Sequence, residues 1–545
     1  MTPPGRTTTL SRLSRTLRRG AVILGCAAGL VSLTAPVSLA DTAGPDPPGV
    51  AELRSDLEDI LDDPALTGAT SGLMVHSRTE GDTLYAQDAD TALVPASNAK
   101  LFTGAAALDV LGPEYRFRTS VVAEREPDDD GVLDTDLHLV GTGDPTVTPA
   151  AYADLAEDVA DAGVHTVTGD LVADDTWFDD ERLAPDWEAG DEPFAYAAQI
   201  SALTVATDDD RNDTGVTEVR VTPGASPGAP VEVDVGVASG YVEVENIART
   251  GAPGRESSLE VTRAHGTNTI EVRGMLPVDA GPVTRLRTVD EPTDLAAHVL
   301  AEALDDAGVQ IEGETGRASA PPAAVELAQR DSAPLGELMI PLMKFSNNAH
   351  AEILVKTLGR IGTGVGSWEA GLDQLHASIR SLDVDTQALD LTDGSGLSRS
   401  NELTAEVLID LFAGVPHQEW YEIWFESLPV AGEEDPLVGG TLRNRMVDTV
   451  AAGTVHAKTG TLTGVSALSG YVTGAEGEEL VFSVLNNGHA GPAPTHVQDA
   501  IAVRLAEFDR EATAAAPARA PGTRSQQHPV APGSGMVECS WDRSC

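Results

Sequence analysis

Three short motifs that suit a single site are spread over most of the chain, and their spacing most constrains how it can fold. Residues 97–100 (SNAK) form an S-x-x-K motif, 346–348 (SNN) form S-x-N, and 458–461 (KTGT) contain K-T-G. The second motif follows the first by 249 residues. If the three motifs share a site, the fold must accommodate a long segment between the first two.

The first motif pairs a nucleophile with a base. An apolar face at Leu101, Ala105 and Leu108 predicts a helix from about residue 96 to 111. Residues three apart share a helix face, so the amine of Lys100 can reach the hydroxyl of Ser97. A neutral lysine can then take the serine proton, and this activates an otherwise poor nucleophile. S-x-x-K alone is weak evidence, because it occurs by chance in most proteins.

Lysine usage strengthens the prediction. The chain has only four lysines, Lys100, Lys344, Lys356 and Lys458, among 35 basic residues. Arginine stays protonated and cannot accept a proton, whereas the pKa of a buried lysine can be lowered. The retained lysines are therefore the first places to look for chemistry.

The other two motifs supply complementary groups. Ser346 offers a second hydroxyl for proton relay and Asn348 an amide for hydrogen bonding, although the serine could simply cap a helix. Lys458 lies at the predicted end of a strand and supplies a positive charge suited to a substrate carboxylate. Gly460 leaves room for a substrate along the strand edge. Each motif alone is weak, but their order and their association with rare lysines favour one site.

Composition excludes several functions. With 35 basic and 86 acidic residues, the chain has a net charge of −51. Such a surface does not favour binding to nucleic acid or to anionic lipid. The histidines are scattered without metal-ligand spacing, and His350 and His456 are expected to pack beside the motifs. We expect no metal and no cofactor.

The first 40 residues resemble a secretory signal peptide. Five arginines precede an apolar stretch at 20–33, and a small-residue cleavage site follows at 38–40. No later segment is apolar enough to suggest a transmembrane anchor, so we expect export to the cell-wall side of the cytoplasmic membrane. Cys26 would leave with the signal, and Cys539 and Cys545 lie in the last residues, which excludes a disulfide framework.

Changes in residue pattern divide the remaining chain. Helices and strands alternate over 118–200 and again over 283–337, and residues 201–282 form short strands rich in Val, Thr, Gly and Pro. The sequences at 155–169 and 300–313 are similar, which suggests two related halves of one mixed domain or an accident of composition. Residues 511–545 are rich in Ala, Pro and Gly, and we expect this tail to be disordered.

Together the motifs resemble the signature of the penicillin-recognising serine enzymes. Within them, the chain resembles the class C low-molecular-mass penicillin-binding proteins, the D-alanyl-D-alanine carboxypeptidase/endopeptidase family. The resemblance covers about 55–508. It rests on PASNAKLFT at 95–103, GTGDPT at 141–146, GDLVADD at 169–175, YAAQISALT at 196–204, KFSNNAHAE at 344–352, DGSGLSRSN at 393–401 and HAKTGTLTG at 456–464.

The resemblance implies an α/β (α+β) fold. A penicillin-binding, β-lactamase-like transpeptidase domain, with an antiparallel sheet flanked by helices, would comprise 50–117 and 338–510. A mixed α/β domain at 118–200 and 283–337 would interrupt it. That domain would itself carry a small all-β insertion at 201–282.

The resemblance also implies catalytic roles. Ser97 would attack the carbonyl between two D-alanines, and Lys100 would be its general base. Ser346 would pass a proton to the departing amine, and Asn348 would bind the substrate amide. The substrates would be peptidoglycan stem peptides, and β-lactam antibiotics would acylate Ser97.

Binding roles follow from the same resemblance. Lys458 and Thr459 would hold the terminal carboxylate beside Gly460, and the backbone N–H groups of Ser97 and Thr461 would form the oxyanion hole. Arg399 would contact a free carboxylate on the stem peptide.

Trp187 would line the pocket in which Arg399 meets that carboxylate. In related enzymes such a pocket favours a diaminopimelate side chain. Two alternatives remain open: a β-lactamase-like hydrolase, and a non-catalytic peptidoglycan-binding scaffold.

Overall fold

The structure is a computed structural model that describes residues 46–208 and 211–512. The chain divides into two units, Met1–Asp46 and Pro47–Cys545, and the account below concerns the described residues of the second. The predicted signal peptide, the three cysteines and the tail from residue 513 onward lie outside the described residues.

Helices occupy chiefly the beginning and the second half of the described chain. In chain order they are α1 (Pro48–Leu61), α2 (Ala99–Leu111), α3 (Pro149–Asp161), α4 (Pro292–Asp306), α5 (Leu335–Lys344), α6 (Asn348–Thr363), α7 (Trp368–Ser381), α8 (Ala405–Gly414), α9 (Tyr421–Ser427), α10 (Pro436–Gly439) and α11 (Thr495–Ala506). The predicted helix at 96–111 is thus present, with its first turn, Ala96–Asn98, wound as a 3₁₀ helix.

Strands are short in the middle of the chain and long near its end. They are β1 (Thr70–Ser77), β2 (Thr83–Gln87), β3 (Arg118–Ala123), β4 (Val132–Leu133), β5 (Leu137–Gly141), β6 (Thr166–Val167), β7 (Leu171–Asp174), β8 (Val216–Thr222), β9 (Glu232–Asp234), β10 (Glu243–Asn246), β11 (Arg249–Gly251), β12 (Glu260–Arg263), β13 (Thr269–Arg273), β14 (Met275–Pro277), β15 (Val283–Thr288), β16 (Gln310–Ile311), β17 (Thr315–Arg317), β18 (Val325–Asp331), β19 (Leu389–Asp390), β20 (Glu402–Leu403), β21 (Val455–Leu462), β22 (Val465–Thr473) and β23 (Glu479–Asn487).

The sheet that carries the third motif joins the two ends of the described chain. Its order is β2-β1-β23-β22-β21, and every neighbouring pair is antiparallel. Helices cover both faces. Leu73, Leu468 and Phe482 pack with α1 and α11 on one face, whereas Val481 and Leu485 pack towards α2 and α5–α8 on the other. Burial on both faces explains the nearly continuous apolar run of β23.

A second core is formed by the mixed segments. The sheet order there is β17-β7-β5-β3-β18, and β5, β7 and β17 run parallel. The similar sequences at 155–169 and 300–313 each contain the end of a helix, α3 or α4, followed by a strand. Those strands, β6 and β16, pair in parallel, and α3 packs against α4. This arrangement favours two related halves over an accident of composition.

The sheets indicate where the β insertion ends. Strands from 201–282 pair among themselves with one exception: β8 also pairs with β15, which begins at Val283. We therefore propose that the insertion extends to Thr288, and we use the name β insertion for residues 201–288 below. The division into domains otherwise stays a prediction. Among the described residues, no helix is both long and apolar enough to cross a membrane.

Candidate active site

The nucleophile segment enters α2 through a tight turn. Ala96 has a φ of 48°, in the left-handed region, and the following 3₁₀ turn leads directly into the helix. Ser97 and Lys100 are almost fully buried, at 5% and 0% exposure. The Nζ atom of Lys100 lies 3.0 Å from Oγ of Ser97. The structure thus places the predicted pair in direct hydrogen-bond contact.

Two carbonyl oxygens also contact this amine. Lys100 Nζ donates to Oδ1 of Asn348 at 2.6 Å and to the backbone oxygen of Ser395 at 2.8 Å. Both oxygens can only accept hydrogen bonds. If the amine is neutral, its two N–H groups can donate to these carbonyls while its lone pair faces the Ser97 hydroxyl. This geometry suits a general base.

The second motif is not a simple helix cap. Asn347 caps α6, since its side chain accepts a hydrogen bond from the backbone N–H of His350. Ser346, with a φ of 58°, instead accepts a hydrogen bond from Nζ of Lys458 at 2.8 Å. Asn348 uses both ends of its amide, because Nδ2 donates to the backbone oxygen of Tyr196 at 2.8 Å.

The third motif lies within β21 rather than at its end. Asn98 joins it to the first motif by donating from Nδ2 to the backbone oxygen of Lys458, at 3.1 Å. A Cβ atom on Gly460 would lie 2.8 Å from Pro95 O and 3.0 Å from Ser97 N. The close approach that requires glycine is therefore to the nucleophile's own backbone, not only to a substrate. Thr461 follows on the same strand.

A buried carboxylate holds the loop whose backbone oxygen contacts Lys100. Glu352, four residues after Asn348 on α6, accepts hydrogen bonds from the backbone N–H groups of Gly394 at 2.9 Å and Ser395 at 2.8 Å. Nε1 of Trp368 donates to the same carboxylate. Burial, and then the charge of Asp393, raise the pKa of Glu352 to about 7. The motif KFSNNAHAE contains this glutamate, but no role for it was predicted from the sequence.

The last two predicted residues, Arg399 and Trp187, lie at the partly exposed edge of the site, which we call the rim. Nε of Arg399 contacts Oε1 of Glu188 at 3.1 Å, and its NH1 donates to the backbone oxygen of Thr463 at 3.1 Å. The neighbouring Trp187 is half-buried and donates from Nε1 to Oδ2 of Asp393 at 2.9 Å. Arg399 therefore already has a carboxylate partner before any ligand binds.

All four lysines are buried, but two of them lie apart from the motif residues. Lys344 donates to the backbone oxygen of Leu428, and burial lowers its pKa to about 8. Lys356 pairs with Asp179 and lies 3.9 Å from the ring centroid of Trp368. Lysine scarcity therefore identified buried amines, of which half belong to the motifs.

The two histidines beside the motifs are packed side chains. Burial lowers the pKa of His350 to about 4, and burial together with the charge of Lys344 lowers that of His456 to about 4. His456 stacks on Phe425 with ring centroids 4.5 Å apart. Across the described ranges, no group of three or more His, Cys, Asp or Glu side chains is placed to hold a metal ion.

The chain is similar in sequence to known carboxypeptidases. The chain is 54% identical over 517 residues to a D-alanyl-D-alanine carboxypeptidase of Actinomadura sp. (strain R39), covering 94% of this chain and 93% of that protein. It is 30% identical over 451 residues to a carboxypeptidase DacB of Mycolicibacterium smegmatis, covering 81% and 82% of the two chains.

The fold is also found in a solved structure. The crystal structure of penicillin-binding protein 4 (DacB) from Haemophilus influenzae matches with a TM-score of 0.72 and 24% identity, over 82% of this chain and 98% of that one. The predicted α/β, penicillin-binding fold is confirmed. The sequence profile of the D-Ala-D-Ala carboxypeptidase 3 (S13) family matches residues 53–508. The predicted resemblance is therefore confirmed: the chain belongs to the D-Ala-D-Ala carboxypeptidase 3 (S13) family and is a serine-type D-Ala-D-Ala carboxypeptidase.

Proposed function

We propose that this carboxypeptidase acts on peptidoglycan stem peptides through an acyl-enzyme on Ser97. The observation that carries the proposal is the contact of Lys100 Nζ with Ser97 Oγ, combined with two carbonyl acceptors on the same amine. Ser97 Oγ bonds to the carbonyl carbon of the penultimate D-alanine while its proton passes to the neutral amine of Lys100. Charge develops on the carbonyl oxygen, where the N–H groups of Ser97 and Thr461 would stabilise it.

The second half of acylation needs a proton on the leaving amine. Ser346 lies in hydrogen-bond contact with Lys458, and we assign its hydroxyl to carry the proton to the nitrogen of the terminal D-alanine as the C–N bond breaks. Asn348 would hold the substrate amide. Water then attacks the ester at Ser97, and the shortened peptide leaves while the hydroxyl regains its proton.

The positive charge of Lys458 and the hydroxyl of Thr459 would bind the terminal carboxylate of the substrate. Lys458 is fully buried, and its Nζ also donates to the backbone oxygen of Thr459 at 2.9 Å. The hydroxyl of Thr459 contacts that of Thr441 at 2.8 Å. These contacts hold both residues in β21 before a substrate arrives, which reduces the entropy lost on binding.

A β-lactam would react at the same serine. Its ring carbonyl takes the place of the D-alanine carbonyl, and ring opening gives an ester on Ser97 with the amine still attached. The H. influenzae protein has been solved in complex with a β-lactam, at 23% identity and a TM-score of 0.66 to this chain. We propose a long-lived adduct here; rapid turnover of the antibiotic would favour the β-lactamase-like alternative.

At the rim we propose a pocket for the side chain of the stem peptide. Arg399 is 36% exposed and its partner Glu188 58% exposed, so the pair is open to exchange. A substrate carboxylate, such as that of diaminopimelate, would replace Glu188 on Arg399, and Trp187 would line the same pocket.

We also propose that residues 1–40 direct export to the cell-wall side of the membrane. Determination of the N-terminal residue of the secreted protein tests this.

The decisive test compares the wild-type protein with Ser97→Ala. We expect the wild type to release D-alanine from a stem pentapeptide and to carry a labelled-penicillin adduct on the peptide that contains Ser97. The variant should lose both activities by about 10⁴-fold or more. Ser469→Ala is a matched control, since Ser469 is another buried serine, hydrogen-bonded to Ser483 at 3.0 Å. D-alanine release by Ser97→Ala at the wild-type rate would refute the proposal.

A further inference from the structure

The β insertion contacts the second motif directly, since the backbone oxygen of Asn212 lies 3.4 Å from Nδ2 of Asn347. A loop provides a second connection, which leads to the amide of Asn348. We call residues 187–198 the active-site loop. Near its end the backbone oxygen of Tyr196 accepts the hydrogen bond from Asn348 Nδ2 at 2.8 Å. Tyr196 and Ala197 also pack with Ala96, the residue before the nucleophile. A shift of this loop would therefore change the orientation of the Asn348 amide, whose other end contacts Lys100.

The middle of the loop is held by a buried ion pair. NH2 of Arg263, on β12, lies 2.7 Å from Oε1 of Glu192, and their side chains are 0% and 5% exposed. The backbone N–H of Gly266 donates to the same oxygen at 2.9 Å. The Thr288 hydroxyl donates to the backbone oxygen of Glu192 and accepts from Arg263 Nε at 3.0 Å. All these partners of Glu192 belong to the β insertion.

Aromatic and backbone contacts extend the attachment towards Tyr196. The guanidinium of Arg287 lies 5.3 Å from the ring centroid of Phe194, and the two residues form an antiparallel backbone bridge. Phe194 in turn stacks on Tyr196, with ring centroids 5.5 Å apart. The backbone N–H of Thr288 donates to the oxygen of Pro193 at 3.3 Å. Contacts from the insertion thus continue along the loop to the residue that binds Asn348.

We propose that the β insertion clamps the active-site loop, and that Arg263 is a positioning residue that acts through Glu192 and the Tyr196 carbonyl on Asn348. A buried, hydrogen-bonded ion pair is weak evidence of stability but fixes one arrangement of the groups it joins. The proposal rests on the catalytic role assigned to Asn348 above. It gives the insertion a function in acylation although it contributes no side chain to the three motifs.

The test separates acylation from binding in the full-length protein. We expect Arg263→Gln to lower the rate constant for acylation by labelled penicillin about 10-fold, with little change in the dissociation constant of the preceding non-covalent complex. Because this variant removes the guanidinium partner of buried Glu192 and leaves only the imidazole of His265 beside its other oxygen, Thr288→Val provides a milder second variant, with an expected loss of about threefold. Circular dichroism and thermal unfolding verify that each variant is folded.

Arg330→Gln is the matched control. Arg330, in the mixed segment, pairs with the fully buried Asp144, and its hydrogen bonds go to Asp144 and Thr146 rather than to the active-site loop. This variant should lose stability but acylate at the wild-type rate. If Arg263→Gln and Thr288→Val also acylate at that rate, the clamp is refuted. If the wild-type protein forms no adduct, the proposed function itself fails.

A double-mutant cycle tests the route. In an Asn348→Ala background, Arg263→Gln should cause no further loss of acylation, because the group through which it acts is already absent. A loss that multiplies with that of Asn348→Ala would show that Arg263 affects the site by another path and would overturn the proposed route. A merely structural role for Arg263 would produce that second result.

Discussion

The candidate site has a buried centre, which we call the floor, and the partly exposed rim, and the two are built in different ways. The floor comprises Ser97, Lys100, Ser346, Asn348 and Lys458, all of them at most 5% exposed. Each makes a hydrogen bond to another member of the set. A change to any one of them therefore removes a hydrogen bond from a buried polar partner, which is costly.

The rim comprises Trp187, Glu188 and Arg399. The ion pair between Arg399 and Glu188 is open to solvent, and exposed pairs of this kind contribute little free energy. The rim can therefore exchange partners, as a specificity pocket must. The comparison suggests that the floor fixes the chemistry and the rim adjusts the choice of substrate.

The largest expected effect is at the floor. Lys100→Met keeps the length of the side chain but removes the amine, so acylation by penicillin should fall about 1,000-fold or more. Lys356→Met is the matched control, because Lys356 is equally buried but pairs with Asp179. Stopped-flow labelling of the folded fraction checks both variants. Equal losses would mean that burial of a lysine, rather than its place in the motif, matters.

A smaller effect is expected where β21 approaches the nucleophile. Gly460→Ala would place Cβ 2.8 Å from Pro95 O, so the strand must shift away from Ser97. Misplacement of this size should slow acylation about 100-fold. Gly316→Ala, in a strand where the added Cβ meets no atom within 4 Å, is the control. Wild-type acylation by Gly460→Ala would contradict the tight fit between strand and nucleophile.

The next prediction concerns Glu352, the buried carboxyl group that holds the loop in contact with Lys100. Its pKa is raised to about 7 from an ordinary 4.5, so between these pH values the native state holds a proton that the unfolded state has lost. Its contribution to stability is therefore fully present below about pH 4.5 and lost as the pH rises through 7.

Glu352→Gln should remove this contribution. The difference in the free energy of unfolding between wild type and variant should change by on the order of 1 to 3 kcal/mol between pH 4.5 and 7. Urea denaturation at both pH values measures it. Glu157→Gln, at an exposed helix position, is the control. A difference that does not vary with pH would show that the Glu352 carboxyl is already ionised throughout this range.

The smallest effect is expected at the rim. Arg399→Ala should raise KM about 10-fold for stem peptides that carry a free side-chain carboxylate and leave peptides without it unchanged. Glu188→Ala, which removes the competing carboxylate, should lower KM by no more than about threefold. Steady-state kinetics on the paired peptides provide the measurement. Equal effects of Arg399→Ala on both peptides would assign it a structural role instead.

Local sequence predicted the Ser97–Lys100 pair of the floor because the geometry of that pair is local, whereas the contacts among the three motifs are long-range. Ser97 and Lys100 meet because they lie one helical turn apart, and the predicted helix is present with a 3₁₀ first turn. The order of the three motifs also predicted that a long inserted segment returns to the same site. The partners of Lys100 beyond the motifs, such as Ser395, could not be predicted, because they are backbone oxygens of distant loops.

The sequence by itself predicted that Ser97 and Lys100 form a catalytic pair and that two further motifs accompany them. Helical periodicity and the scarcity of lysine are sufficient for this. Only the tertiary structure decided how that pair is supported. Glu352 binds the loop whose carbonyl contacts Lys100, and the β insertion holds Tyr196 against Asn348. Such contacts bring backbone atoms to side chains that lie 43 and 152 residues away in the chain, and backbone atoms carry no signature in a sequence.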